Sequence, residues 1–147
     1  MDRLVGEWAF EGRSVPDAGE VRTGTETVTR RGVWFVIESD DGVRFQLGFD
    51  AETGRVSGDF ISWEYPILWT YDGAVEGDRL VLDSRGPCMD GTEGETDYQD
   101  IWEFVSADER RLTGRYLGAD GQWRDFTTTS YRRRAAGSPG ADISDVG

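Results

Sequence analysis

Asp100 and Arg124 are the two residues whose types and placement could do chemistry together. Asp100 stands in TDYQDIWEFV, where strand alternation puts it on one face with Tyr98, Trp102 and Phe104. Arg124 stands in QWRDFTTTSYRRR, on one face with Phe126, Thr128 and Ser130. Faces rich in rings are expected to be the interior, because aromatic side chains gain most from burial. Both charges are therefore expected inside, on two runs separated by one other. A buried carboxylate must be paired, so the expectation is an Asp100–Arg124 ion pair. Such a pair can be plain scaffold. It can also be a polar handle, with the arginine fork holding a carboxylate, phenolate or enolate oxygen and Asp100 orienting it or acting as base.

Glu64 is the other carboxyl of interest, in ISWEYPILWTY. Trp63 and Tyr65 share a face with Asp59, and Phe60 and Glu64 share the other. A β-bulge near Pro66 would exchange them, so which face of residues 59–65 points inward stays open. Held between rings, Glu64 would have its pKa raised by desolvation; at a barrel rim it would simply be solvated. Trp69 and Tyr71 share one face of the next run. Together with Trp63 and Tyr65, and with Tyr98, Trp102, Tyr116 and Phe126 further on, they are the candidate wall of a binding site.

Two absences bound the chemistry. The chain has no histidine, and all 16 of its basic side chains are arginine. Without histidine there is no Ser-His or Cys-His nucleophile and no imidazole base, and haem with a proximal histidine and the common zinc sites are excluded. Without lysine there is no Schiff base and no pyridoxal phosphate anchor. The acidic stretch CMDGTEGETDYQD, from Cys88 to Asp100, fails the spacing of a calcium loop and reads as a solvated loop at a barrel mouth. Cys88 has no histidine or lysine to stabilise a thiolate. GFDAETGR is a hairpin turn and not a phosphate cradle. No metal and no cofactor is expected.

The elements that must position these residues are short alternating runs separated by glycine- and aspartate-rich turns, the pattern of an all-β chain. GEWAFEGR, GTETVTRR, VWFVIES, VRFQLGFD and RVSGDFISWE lead to an interruption at Pro66, which cannot donate in a central ladder. ILWTYDGAV, RLVLDSR, TDYQDIWEFV, RLTGRYLG and QWRDFTTTSYRRR follow. The links are short enough to join antiparallel neighbours, and no amphipathic helix intervenes. About ten strands in a meander predict a single antiparallel up-and-down β-barrel over residues 1–134, closed so that no edge is exposed. A flattened sandwich is the competing arrangement. Residues 135–147 lack periodicity and read as a disordered tail.

At 147 residues the chain is long enough for one domain that folds without disulfides or metals. A net charge of −13 argues against nucleic acid and against anionic membrane surfaces. MDRLVGEWAF offers no apolar run for a signal peptide, and a cytoplasmic location is expected. Tryptophans left on a barrel exterior would be compatible with a homodimer.

LVGEW, from Leu4 to Trp8, resembles the opening of the calycins, the lipocalin and fatty-acid-binding-protein-like barrels, with a Gly-x-Trp on the first strand. There an arginine near the chain end packs over the tryptophan, and SYRRR offers Arg132 or Arg134 for that part. The sequence is more similar to a calycin-like family of small bacterial proteins, domain of unknown function 1579, through GTETV, GVWFV, GFDAETGR, DIWEF, LGADGQW and the terminal YRRR. Where that family tends to read W-x-D-S, this chain has Phe60-Ile61-Ser62-Trp63. The resemblance implies a barrel with an internal cavity. It leads to two functional expectations: binding of a small hydrophobic or aromatic molecule, or cofactor-independent catalysis by a cyclase, isomerase or hydro-lyase on a polyketide- or terpenoid-like intermediate.

Overall fold

The computed structural model describes residues 1–15, 20–89 and 91–134; the expected tail over 135–147 lies outside them. Ten strands follow one another: β1 Gly6–Ser14, β2 Val21–Arg31, β3 Trp34–Ser39, β4 Val43–Phe49, β5 Arg55–Ser62, β6 Tyr65–Glu76, β7 Arg79–Pro87, β8 Glu95–Ser106, β9 Glu109–Leu117 and β10 Trp123–Arg133. Each is antiparallel to its neighbours in sequence, and β10 closes the circle on β1 through pairs from Trp8 with Arg133 to Ser14 with Thr127. The meander expected from period-two alternation and short turns is thus a closed up-and-down barrel. No helix among the described residues is long and apolar enough to cross a membrane.

One end of the barrel is solid. A single 3-10 turn, Asp2–Leu4, tucks Leu4 under the strands, and the Trp8 indole donates to the Leu4 carbonyl at 2.9 Å. Inward residues alternate on every strand here: Val28, Phe35 and Ile37, Leu47, Val56, Leu80 and Leu82, Trp102 and Leu112 all pack into one cluster. Neither Arg132 nor Arg134 takes the place expected over Trp8. Arg133 does, with its guanidinium 4.3 Å from the ring and hydrogen bonds to the carbonyls of Val5, Arg3 and Ala107. It ties the N-terminal turn to the β8–β9 turn.

The other end is open, and two departures from regular pairing shape it. The β5–β6 hairpin turns at Trp63 and Glu64, pairing Ser62 with Tyr65 and then Phe60 with Trp69. Pro66 therefore lies inside β6 and does not separate two strands; the extra residues of the irregularity sit opposite Ile61. Beyond the hairpin, β6 pairs with β7 only from Asp72 to Glu76, so the upper half of β6 stands away from β7. The Trp69 ring lies across Gly86 of β7 in that gap, where a Cβ would come within 2.2 Å of it. Only glycine leaves room for the ring.

Candidate functional site

Between the solid end and the open mouth lies a cavity of about 750 Å³. Its walls are mainly aromatic: Phe45 from β4, Phe60 from β5, Trp69 and Tyr71 from β6, Tyr98 from β8 and Phe126 from β10. The rings brace one another. Trp69 meets Tyr98 edge-on at 5.0 Å between centroids, Phe126 meets Tyr98 edge-on at 6.0 Å, and Phe45 packs on Phe60 at 4.7 Å and parallel to Tyr71 at 6.0 Å. Such offset and edge contacts hold ring positions as well as burying area.

Asp100 borders this cavity from β8. Its carboxylate Oδ2 accepts a 2.5 Å hydrogen bond from the Tyr71 hydroxyl. Asp100 is half-buried, and its exposed part faces the cavity. Burial pushes its pKa from 3.8 up to about 6, partly opposed by the Tyr71 hydrogen bond. Burial and the neighbouring Asp100 charge in turn push the Tyr71 phenol well up, so it stays a donor.

Toward the solid end a second polar layer floors the cavity. Glu26 of β2 is buried and ion-paired to Arg110 of β9, which is itself almost fully buried. The Arg110 guanidinium lies 3.8 Å from the Tyr131 ring centre, 4.6 Å from Trp8 and 5.1 Å from Trp102. Its Nε and Nη1 have no hydrogen-bond partner among the described residues, and the ring faces take their place. Burial pushes the Glu26 carboxyl up and Arg110 pulls it back, and burial together with the Glu26 charge raises the Tyr131 phenol. At the mouth, Arg22 pairs with Asp41, whose other oxygen accepts from the Ser39 hydroxyl.

Several sequence expectations are corrected here. Arg124 does not pair with Asp100: it is exposed near the β9–β10 turn and holds Asp120 through two bonds of 2.8 and 2.7 Å. The cause is register: Arg124 is level with Tyr116 and Tyr98, one step nearer the mouth than Asp100, whose row runs through Gly114 to Thr127, after a bulge at Phe126. Phe126 still reaches the cavity, but beyond it the inward face is Thr127, Thr129 and Tyr131 instead of Thr128 and Ser130. Glu64 is exposed at the mouth and is not held between rings. Trp63, 65% exposed, covers the turn at Gly42 and does not line the cavity, whereas Tyr65, 63% exposed, stands on its lip. The face of residues 59–65 left open by alternation is decided: Phe60 and Ser62 point in, and Asp59 points away to accept from Gln46 at 3.1 Å. Trp102 is buried in the solid core and Tyr116 stands behind Tyr98 and Phe126, so neither forms the wall directly.

A family model described as "Protein of unknown function (DUF1579)" matches residues 1–133. The chain belongs to the DUF1579 family. Among solved structures it is similar to Rv2717c from M. tuberculosis, at 16% identity over 90% of this chain and 94% of that one, with a TM-score of 0.57. At that identity the likeness concerns the fold. A redesigned beta barrel aligns at 14% identity over 91% of this chain and 94% of that chain, with a TM-score of 0.44. No curated protein matches the chain.

The layer that sequence reasoning missed in this DUF1579 barrel is Glu26, Arg110 and Tyr131. A signal for two of them was present. Glu26 is in phase with Val28 on β2, and Arg110 with Leu112 on β9, so each charge falls on an inward position of its own strand. That the two meet, 84 residues apart, is a property of barrel closure and not of either run.

Proposed function

We propose that this protein binds a small, largely apolar molecule with at least one polar group inside the barrel. The observation that carries the reading is the cavity itself: about 750 Å³, with braced rings along its walls and charged groups at its mouth, its floor and Asp100. Small-molecule sites are commonly of that size and make-up, roughly 300–1,000 Å³. The Tyr71–Asp100 pair is the polar feature nearest the rings, and it would orient a ligand whose apolar body lies against Trp69, Tyr98 and Phe126.

N-phenyl-1-naphthylamine, a neutral probe whose fluorescence rises in apolar surroundings, tests this directly. The expected result is saturable binding at one site, lost in Ser84→Trp, which places an indole in the cavity from β7. Binding that survives Ser84→Trp with the barrel intact by circular dichroism places the probe elsewhere and refutes the reading.

A second reading is favoured by one observation. A carboxyl with a pKa of about 6 can take up or give back a proton near neutral pH, and Asp100 faces the cavity with the Tyr71 hydroxyl on one oxygen. That pair suits cofactor-independent acid–base catalysis on a polyketide- or terpenoid-like intermediate. The test is turnover of such a compound by the wild type and its loss in Asp100→Asn at unchanged fold; equal rates in the two proteins would remove Asp100 from any chemistry.

A further inference from the structure

The charges around the cavity do not balance. Five charged side chains line it: Arg22, Glu26, Asp41, Glu64 and Asp100. Both cations in reach are committed, Arg22 to Asp41 and, just beneath the floor, Arg110 to Glu26. Asp100 has no ion pair among the described residues, and neither does Glu64 at the mouth. The deep carboxylate therefore rests on a single phenol donor, at Oδ2, while Oδ1 carries no hydrogen bond among the described residues. A buried carboxylate held by one neutral donor is a costly arrangement unless something else supplies the missing positive charge.

The surroundings specify what could supply it. The rings that line the cavity with Asp100 include Tyr71, Tyr98, Phe45 and Phe126, whose π faces attract a cation and repel an anion. The path inward passes Glu64, and the chain as a whole carries −13, so the field along the entrance favours positive charge. An anionic ligand would meet four carboxyl groups and no uncommitted guanidinium. A neutral ligand would use the walls and leave Asp100 as it stands.

We propose that the cavity selects organic cations: molecules with an apolar, ring-sized body and a protonated amine or quaternary ammonium group that docks on Asp100 Oδ1. This rests on the cavity-binding reading above and adds the chemical class of the ligand. The Glu26–Arg110 pair beneath the site is the contrasting case, a carboxylate already matched by a cation and closed to a second one. Tyr71 has a positioning part, holding Asp100 Oδ2 and leaving Oδ1 for the ligand.

The experiment compares three probes of one shape by titration calorimetry: 1-naphthyltrimethylammonium, its neutral carbon isostere 1-tert-butylnaphthalene, and 1-naphthalenesulfonate. The quaternary cation cannot titrate, so any pH dependence belongs to the protein. Tyr71 on β6 contacts Asp100, and the other titratable groups that line the same cavity are Tyr98, Tyr131, Tyr65, Glu64, the Arg22–Asp41 pair and Glu26, which is held by Arg110. The strand partners of Asp100, Leu82 and Gly114, do not ionise. At pH 8 the cation is expected to bind at least about tenfold more tightly than the isostere, with the sulfonate weakest. The preference should fade as pH falls through about 6, where Asp100 takes up a proton. Asp100→Asn should erase the preference at pH 8 while the isostere still binds. Should that variant fail to fold, Tyr71→Phe serves instead: loss of the donor raises the Asp100 pKa, and the midpoint of the preference moves to higher pH. Equal binding of cation and isostere overturns the cation proposal and leaves the cavity reading standing. Binding of none of the three overturns both.

Discussion

Replacing Asp100 with asparagine should stabilise this protein above pH 6 and do little below pH 4. Burial lifts the folded-state carboxyl from its ordinary 3.8 to about 6. A group whose folded pKa is raised holds its proton more tightly in the native state, so folding is favoured while it is protonated. As pH rises from about 4 to about 6 the unfolded chain ionises first, and native stability falls by an amount set by the two pKa values. At ~1.4 kcal/mol per tenfold change, that is about 3 kcal/mol lost by pH 7. Asparagine cannot ionise, and its side-chain oxygen can still accept from Tyr71. It gives up the stronger bond to a charged acceptor, so the net gain at pH 8 should be about 1–3 kcal/mol. For a chain of this length ~1 kcal/mol corresponds to about 2–4 °C in melting midpoint. Urea denaturation of wild type and variant from pH 4 to pH 8 measures the difference, which should open across the window from pH 4 to pH 6. Comparing the two proteins at each pH removes the contribution of Glu26, whose carboxyl is also raised. A variant less stable than wild type at pH 8, or a difference that does not change with pH, would refute the claim that Asp100 is an uncompensated buried carboxyl.

The other predictions separate scaffold from site. Arg110→Met leaves Glu26 buried without its cation and should cost about 3–5 kcal/mol in urea denaturation, with much of the loss recovered in the Arg110→Met/Glu26→Gln double variant. If the double variant is no better than the single, the pair is not the reason the layer is stable. Arg124→Met removes an exposed partner of Asp120 and should leave both the melting midpoint and probe binding where they are; a large loss of binding would return Arg124 to the site. Gly86→Ala places a methyl group against the Trp69 ring and should shift tryptophan emission and weaken probe binding together, because the ring that closes the gap beside β7 is also a cavity wall.

The barrel was legible in the sequence because its determinants are local. Period-two alternation marks a strand, a short link marks an antiparallel neighbour, and ten strands joined in order by nine links of two to seven residues leave little alternative to closure. Asp100 was legible for the same reason, since Tyr98, Asp100 and Trp102 keep phase along a regular stretch of β8. Arg124 was not, because alternation gives a residue's face and not its height: its row runs through Tyr116 and Tyr98, one step nearer the mouth than Asp100, and the bulge at Phe126, which nothing in DFTTTS marks, resets only the face of Thr128 and Ser130. The rim failed for a related reason. Trp63 and Glu64 form the turn itself, where alternation has no meaning, although their neighbours Ser62 and Tyr65 are paired strand residues. Pairings between distant runs, Tyr71 with Asp100 and Glu26 with Arg110, exist only once the strands are arranged in a circle.

The central claim is that the space among the rings is a ligand site and not a packing defect. Crystals of the protein grown with N-phenyl-1-naphthylamine measure this most directly. The account predicts electron density for the probe inside the barrel, in contact with Trp69, Tyr98 and Phe126. It would be contradicted by a probe found only on the outer surface, at Trp63 or Leu68, with the wall rings turned inward to fill the cavity.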